Sequence, residues 1–145
     1  MIMTKSLSNN IPHLFKDNWE TPDWIFDPLN KEFEFTLDPC CVESTKKCDR
    51  FFTPKENGLI QDWSNERVFV NPPYSRGNID KWVKKCFDSS KCGAVVIALL
   101  PVSTSSKWFH DFIYQKAEIR FIKGRVKFVG ANHTAPFSSM IVIFK

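Results

Sequence analysis

Asn71-Pro72-Pro73-Tyr74 combines a side-chain amide, two prolines and an aromatic ring directly after the apolar run 67–70. An exocyclic amino group on a nucleobase, such as N6 of adenine, is a poor nucleophile because its lone pair is delocalised into the ring. The Asn71 side-chain oxygen and the Pro72 main-chain oxygen can each accept one amino hydrogen, and the prolines hold both acceptors rigidly. Stacking of the Tyr74 ring on the base is worth about 1–3 kcal/mol. The segment therefore predicts a catalytic site for an amino group; the alternative is a rigid turn that Asn71 merely caps.

A carboxylate stands in the corresponding position at the end of another predicted strand. Asp38 follows residues 33–37, in which apolar and polar side chains alternate. Open α/β sheets bind ligands at the carboxyl ends of their strands, so we expect Asp38 and Asn71 to share one site. The alternative for Asp38 is a simple turn residue before Pro39.

Helical and strand patterns alternate along the chain and indicate an α/β domain with a mixed, mostly parallel sheet. We predict a first helix capped by Thr21, with Pro22 as its first residue and Pro28 ending it early. A second helix follows its cap at Asn78. The remaining predicted elements are a helix bearing Trp108, Phe109, Phe112 and Ile113, and strands at 51–52, 67–70, 94–100, 118–123, 126–129 and 140–144.

Composition restricts the class of protein. With 145 residues, of which 43% are hydrophobic and 25% charged, the chain fits one globular domain at 17–145 after a flexible polar arm at 1–16. No apolar run is long enough to cross a bilayer, so we expect a cytoplasmic protein without a membrane partner. The cysteine and histidine spacing does not match a zinc site, and we expect no metal. The net charge of +4 is compatible with a polyanionic partner, and we expect a monomer or a weak dimer.

The order of several short segments resembles the phage and prophage DNA N-6-adenine methyltransferase (Dam-type) family. The resemblance runs from about Asp17 to the C-terminus and implies a Rossmann-like class I methyltransferase fold. It also implies S-adenosylmethionine as methyl donor, double-stranded DNA as partner, and transfer to adenine N6 after base flipping. A phage-encoded enzyme would act in the bacterial host cytoplasm. The matching segments are Trp19-Glu20-Thr21-Pro22, Thr36-Leu37-Asp38-Pro39, Asp62-Trp63, Val70-Asn71-Pro72-Pro73-Tyr74, Leu100-Pro101, Lys107-Trp108-Phe109 and Arg120-Phe121-Ile122-Lys123-Gly124-Arg125.

The resemblance also implies roles for individual residues in binding the cofactor. A Thr-Pro pair near the N-terminus contacts the methionine part, an acidic-Pro turn after the first strand lines the pocket, and an acid before the catalytic strand contacts the adenine. The alternatives are a helix cap for the threonine and a solvated carboxylate for the last acid. The residues assigned in this way are Thr21, Pro22, Asp38, Pro39, Cys40 and Asp62.

The chain departs from the broader methyltransferase pattern after the first strand. Asp38-Pro39-Cys40-Cys41 stands where a glycine-rich turn is usual. The chain from Asp38 to Asn71 is also short for two complete βα units, so we expect a helix there to be missing or reduced to a loop. The residue that binds the cofactor ribose is therefore not assigned.

Candidate DNA contacts lie mainly in the basic stretch 120–128, which we predict to be a hairpin with Gly124 at its turn. Its cations can bind phosphates and one of its rings can pack against an extruded base. The alternative is an amphipathic hairpin with solvated cations. The candidates are Lys123, Arg125 and Lys127, together with Arg76 and Lys107 beside the predicted catalytic loops.

Two other functions stay open at this point. RNA adenine and a protein glutamine amide present a comparable amino group, so either can replace DNA adenine as substrate. The shortened cofactor region is also compatible with a catalytically inactive nucleic-acid-binding module of the same fold.

Overall fold

A six-stranded sheet organises the computed structural model, which describes residues 19–145. The strand order is β2-β1-β3-β4-β6-β5. Strands β1 to β4 pair in parallel, whereas β6 pairs antiparallel with both β4 and β5. This mixed, mostly parallel sheet with an antiparallel C-terminal strand confirms the predicted Rossmann-like class. The strands are β1 Leu37–Asp38, β2 Arg50–Phe51, β3 Arg67–Val70, β4 Val95–Pro101, β5 Glu118–Phe121 and β6 Ser139–Phe144.

In residues 19–145 three α-helices accompany the sheet: α1 (Asp23–Phe33), α2 (Ile79–Lys91) and α3 (Lys107–Phe112). Helix α2 buries the apolar stripe that its sequence shows and packs against β4 and α3. Burial of such a stripe, rather than helix propensity, supplies most of the stability of a helix this short. The predicted second and third helices are therefore confirmed, although α3 ends one residue before Ile113.

The first helix differs from its prediction. Pro22 is the N-cap residue of α1 with extended backbone, so Thr21 is not the cap and Pro22 is not the first helical residue. Pro28 lies inside the helix, which continues to Phe33. The main-chain oxygen that Pro28 leaves unbonded belongs to Trp24, and both side chains are on the exposed side of the helix. The predicted strand at 33–37 therefore shrinks to β1.

The predicted hairpin at 120–128 was wrong. Strand β5 ends at Phe121, and β6 rather than residues 126–129 pairs with it. Residues 126–129 form only an isolated bridge, in which the Val129 N–H donates to the Glu20 oxygen at 3.1 Å. Val126 and Phe128 are buried, so this segment contributes to the core instead of a second ladder.

The connections on either side of β2 contain only short 3₁₀ turns, at Glu43–Thr45 and Gly58–Ile60, and no α-helix. This confirms the predicted reduction of the region between Asp38 and Asn71. Strands β1 and β3 are direct neighbours, with Leu37 opposite Val68. The carboxyl ends of these two strands therefore lie side by side.

Candidate active site

A cavity of about 390 Å³ lies where β1 and β3 end. This volume falls within the range of about 300–1,000 Å³ that is usual for small-molecule sites. The two strand-end residues expected to share a site, Asp38 and Asn71, both line the cavity. Four more of the predicted site residues line it as well: Thr21, Pro39, Cys40 and Pro73.

Asp38 is the last residue of β1 and is only 3% exposed. One carboxylate oxygen accepts a hydrogen bond from the Cys40 N–H at 3.3 Å, and the other accepts one from the Lys47 N–H at 3.0 Å. Burial raises the pKa of this carboxyl, and the two N–H donors partly oppose the rise in pKa. Because an ionised carboxylate offers about four lone-pair positions, Asp38 keeps acceptor capacity for a ligand while it holds the loop 39–47.

The amide of Asn71 has a defined orientation. Its Nδ2 donates to the Trp19 main-chain oxygen at 2.5 Å and to the Thr21 Oγ1 at 3.2 Å. A carbonyl oxygen only accepts hydrogen bonds, so the nitrogen rather than Oδ1 must face Trp19. Within the described residues no group donates to Oδ1. The oxygen is therefore left to accept a hydrogen bond from a ligand.

Four rings pack together beside Asn71, and we call them the aromatic cluster: Trp19, Tyr74, Phe128 and Phe137. Trp19 stacks on Phe128 with ring centroids 4.8 Å apart and on Phe137 at 5.6 Å. Tyr74 meets Trp19 edge-on at 6.4 Å, is 5% exposed, and donates its hydroxyl to the Leu99 oxygen at 2.7 Å. Trp19 lines the cavity, whereas Tyr74 lies behind it. The ring that this conformation presents to a ligand is therefore that of Trp19.

Gly58 shapes another part of the cavity wall. A Cβ at this position would overlap the main-chain oxygen of Pro39 and lie 3.1 Å from the Trp82 ring. The Gly58 oxygen also accepts a hydrogen bond from the buried Trp63 Nε1 at 2.9 Å. Only glycine permits this approach of the 3₁₀ turn to the end of β1. This part of the wall is consequently formed by the main chain at Pro39 and Gly58 and by the Trp82 ring, where a complete βα unit would place a helix.

Sequence reasoning missed Trp19, Lys47, Gly58 and Trp82 as cavity residues. Trp19 belongs to a recognised segment, Trp19-Glu20-Thr21-Pro22, so its position in that segment was an available signal. No local pattern distinguishes Lys47 from the neighbouring lysine, and only the hydrogen bond from its N–H to Asp38 brings it to the site.

Three other predicted site residues do not line the cavity. Pro22 is buried at the start of α1, and Pro72 is buried between Asn71 and Pro73. Asp62 is exposed, and its carboxylate accepts hydrogen bonds from the Ser64 N–H at 2.9 Å and the Ser64 hydroxyl at 2.5 Å. These bonds hold the pKa of Asp62 below its usual value. Its assigned contact with the cofactor adenine gains no support from this position.

The predicted DNA contacts are all exposed. Lys123, Arg125 and Lys127 lie in the segment after β5, where Arg125 and Lys127 flank the buried Val126, and none of the three forms an ion pair with a residue of the described range. Arg76 is exposed in the turn before α2. Lys107 is different because it pairs with Asp111 on α3, which reduces its availability to a phosphate.

Across residues 19–145, no cluster of three or more His, Cys, Asp or Glu side chains is placed to hold a metal ion. In the same residues no helix has the length and apolar character needed to cross a membrane. The predicted arm at 1–16 lies outside the described residues.

A family model described as DNA N-6-adenine-methyltransferase (Dam) matches residues 8–145. The DNA N-6-adenine-methyltransferase of Haemophilus phage HP1 is 36% identical over 132 residues, which cover 88% of this chain and 73% of the phage protein. The protein of the same name from Escherichia phage T1 is 33% identical over 116 residues, covering 79% of this chain. This chain spans about half, 48%, of the T1 protein. Together with the fold, these matches show that the chain belongs to the DNA N-6-adenine-methyltransferase (Dam) family.

Proposed function

We propose that the chain binds S-adenosylmethionine in the cavity at the ends of β1 and β3 and transfers its methyl group to N6 of an adenine in DNA. The observation that supports this most directly is the shared cavity of Asp38 and the oriented amide of Asn71. A buried carboxylate suits the amino group of the cofactor, and a free amide oxygen suits an amino group of the substrate. The family membership makes DNA adenine the expected substrate.

The chemistry of the cavity fits this cofactor. Its lining combines two acidic residues, one lysine and three threonines with apolar walls from Phe69, Leu59 and Trp82. A zwitterionic amino acid joined to a nucleoside requires this mixture of charged and apolar surface. When bound, S-adenosylmethionine supplies an electrophilic methyl group on a positively charged sulfur.

In this proposal Asn71 activates the nucleophile, which is the N6 amino group of adenine. Its Oδ1 accepts one hydrogen of the adenine amino group. The main-chain oxygen of Pro72, which does not line the cavity in this conformation, accepts the other when the base is bound. Accepting both hydrogens favours a more pyramidal nitrogen whose lone pair is available for attack. The bonds from Nδ2 to Trp19 and Thr21 fix the amide before substrate arrives, so little reorganisation is needed during the reaction.

The target base must leave the duplex to reach a cavity of this kind. Trp19 offers the accessible ring of the aromatic cluster, and we assign it the stacking role for which Tyr74 was predicted. Tyr74 supports it from behind, since it is buried and bonded to Leu99. Lys123, Arg125 and Lys127 hold the DNA backbone by phosphate contacts.

Nucleoside mass spectrometry of unmethylated DNA tests the proposal. The purified protein is incubated with the DNA and S-adenosylmethionine, with Asn71→Ala and the conservative Asn71→Asp alongside. We expect N6-methyladenine from the native protein and none from Asn71→Ala, while calorimetry shows cofactor binding by both. Undiminished methylation by Asn71→Ala would contradict the mechanism.

Parallel assays with RNA and with glutamine-containing protein compare the other substrates. Methylation of either in preference to DNA would replace the proposed substrate. DNA binding without cofactor binding would instead indicate an inactive binding module.

We further expect the enzyme to act as a monomer or weak dimer in the cytoplasm of the cell that holds the DNA, which light scattering and fractionation can test.

A further inference from the structure

Lys47 is the only cation that lines the cavity within residues 19–145. Its side chain is only 15% exposed although it carries a positive charge. The nearest carboxylate, on Asp23 of α1, lies 3.9 Å from the Lys47 Nζ and is itself 85% exposed. A further contact is the face of the Phe26 ring, whose centroid is 5.7 Å from the Nζ. Lys47 therefore has one long ion pair and one long cation–π contact, and its charge also interacts at longer range with the Asp38 carboxylate.

Such surroundings compensate poorly for the burial of an ammonium group. Removing a charge from water is costly unless it gains a close partner, and an ion pair with a largely exposed carboxylate contributes little. A ligand anion in the cavity would supply a closer partner than either carboxylate. The position of Lys47 thus indicates where the negative group of a ligand binds.

An opposite charge lies beside this loop, on Asp38 at the end of β1. The N–H of Lys47 donates to the Asp38 carboxylate, so the acid and the base belong to one hydrogen-bonded unit of the cavity wall. A ligand that carries an amino group and a carboxylate on neighbouring atoms matches this arrangement. The methionine part of S-adenosylmethionine is such a ligand.

We propose that the Lys47 ammonium group binds the carboxylate of the cofactor's methionine part, while Asp38 binds its amino group. This inference rests on the proposed function and adds to it a residue that binds the carboxylate end of the cofactor. Lys47 acts in binding and not in methyl transfer, so its removal changes the affinity for cofactor more than the maximal rate.

Titration calorimetry with two ligands and two variants tests the role without measuring activity. The ligands are S-adenosylmethionine and its decarboxylated analogue, which keeps the sulfonium and the amino group. The variants are Lys47→Met and, as a matched control, Lys46→Met, which alters the adjacent exposed lysine that lies over the Phe51 ring. Circular dichroism and thermal melting confirm that each variant is folded.

We expect the native protein and Lys46→Met to bind the decarboxylated analogue about 10- to 100-fold more weakly than S-adenosylmethionine, the range for a lost charge-assisted hydrogen bond. Lys47→Met should bind both ligands with the same weak affinity. Asp23→Asn should leave the affinity for S-adenosylmethionine unchanged, because its carboxylate is not part of the ligand site.

Three results would overturn the inference. The first is equal affinity of the native protein for both ligands, which needs no variant and leaves the proposed function intact. The second is a loss of DNA affinity in Lys47→Met without a loss of cofactor affinity, which would assign the cation to a phosphate. The third is the absence of any S-adenosylmethionine binding by the native protein, which would remove the proposed function as well.

Discussion

The Nδ2 atom of Asn71 lies 2.5 Å from the main-chain oxygen of Trp19, so a segment just before α1 fixes the orientation of the Asn71 amide. The same nitrogen reaches the Thr21 hydroxyl at 3.2 Å. Two residues that are distant from Asn71 in sequence thus hold Nδ2 and leave Oδ1 as the amide atom that can accept a further hydrogen bond. The sequence motif Asn71-Pro72-Pro73-Tyr74 identifies the amide but does not predict its orientation.

Replacing Thr21 by Val should slow methyl transfer, because it removes one of the two acceptors that orient the Asn71 amide. One lost hydrogen bond of this kind corresponds to about a five- to tenfold fall in kcat. Thr21→Ser keeps the hydroxyl and should restore most of the rate. Single-turnover kinetics measure the effect, with calorimetry of S-adenosylmethionine alongside. An equal loss of cofactor affinity in both variants would instead assign Thr21 to the cofactor alone.

The affinity for S-adenosylmethionine should fall on acidification at a pH higher than an ordinary aspartate would cause. Burial raises the pKa of Asp38 above its usual value, so the carboxylate takes up a proton sooner as the pH falls. The protonated form cannot pair with the cofactor's amino group as an ion. Calorimetry across a pH series should show this decline in the native protein. In Asp38→Asn the affinity should be low throughout and nearly independent of pH in that range.

Gly58→Ala should deform the cavity, because the added methyl group overlaps the Pro39 oxygen. We expect a lower melting temperature together with a loss of cofactor affinity. Gly124→Ala is the control: its added Cβ meets no atom within 4 Å, but its φ of +76° is unfavourable for alanine. That variant should lose about 1 kcal/mol of stability and keep its cofactor affinity. If Gly58→Ala kept full affinity for S-adenosylmethionine, the main chain around Pro39 would be able to move and accommodate the added methyl group.

Changing Lys123, Arg125 and Lys127 together to Gln should weaken DNA binding to all sequences alike. Each phosphate contact that is lost should lower the slope of log affinity against log salt by about one. Lys84→Gln serves as control, because that lysine already pairs with Asp88 on α2. Fluorescence anisotropy over a salt series measures both. A slope that does not change would show that these cations remain solvated in the complex.

The parts of the fold that carry a strong periodic pattern could be predicted from the sequence. The apolar stripe of α2 and the uninterrupted apolar run of β4 are set by burial, which a local pattern records directly. The placement of Asp38 and Asn71 at neighbouring strand ends also follows from general sheet topology.

The remaining errors come from packing and pairing that a local sequence pattern does not record. Pro28 does not end α1, because the helix is held by buried Ile25, Phe26 and Leu29 rather than by its intrinsic propensity. The segment 126–129 has the composition of a strand, but β6 occupies the place beside β5. Lys47 reaches the cavity only through the loop that Asp38 holds. Apolar periodicity records neither the pairing of β6 with β5 nor the hydrogen bond from the Lys47 N–H to Asp38.

The position of β6 between β4 and β5 also affects how the chain folds during synthesis. While residues 139–144 are still in the ribosome, β4 has a partner only at β3, and its other edge is an unpaired row of apolar strand. Such an edge favours pairing with other nascent chains. Slowing translation just before these residues should therefore lower the yield of soluble protein, even though every residue of the cavity has already emerged.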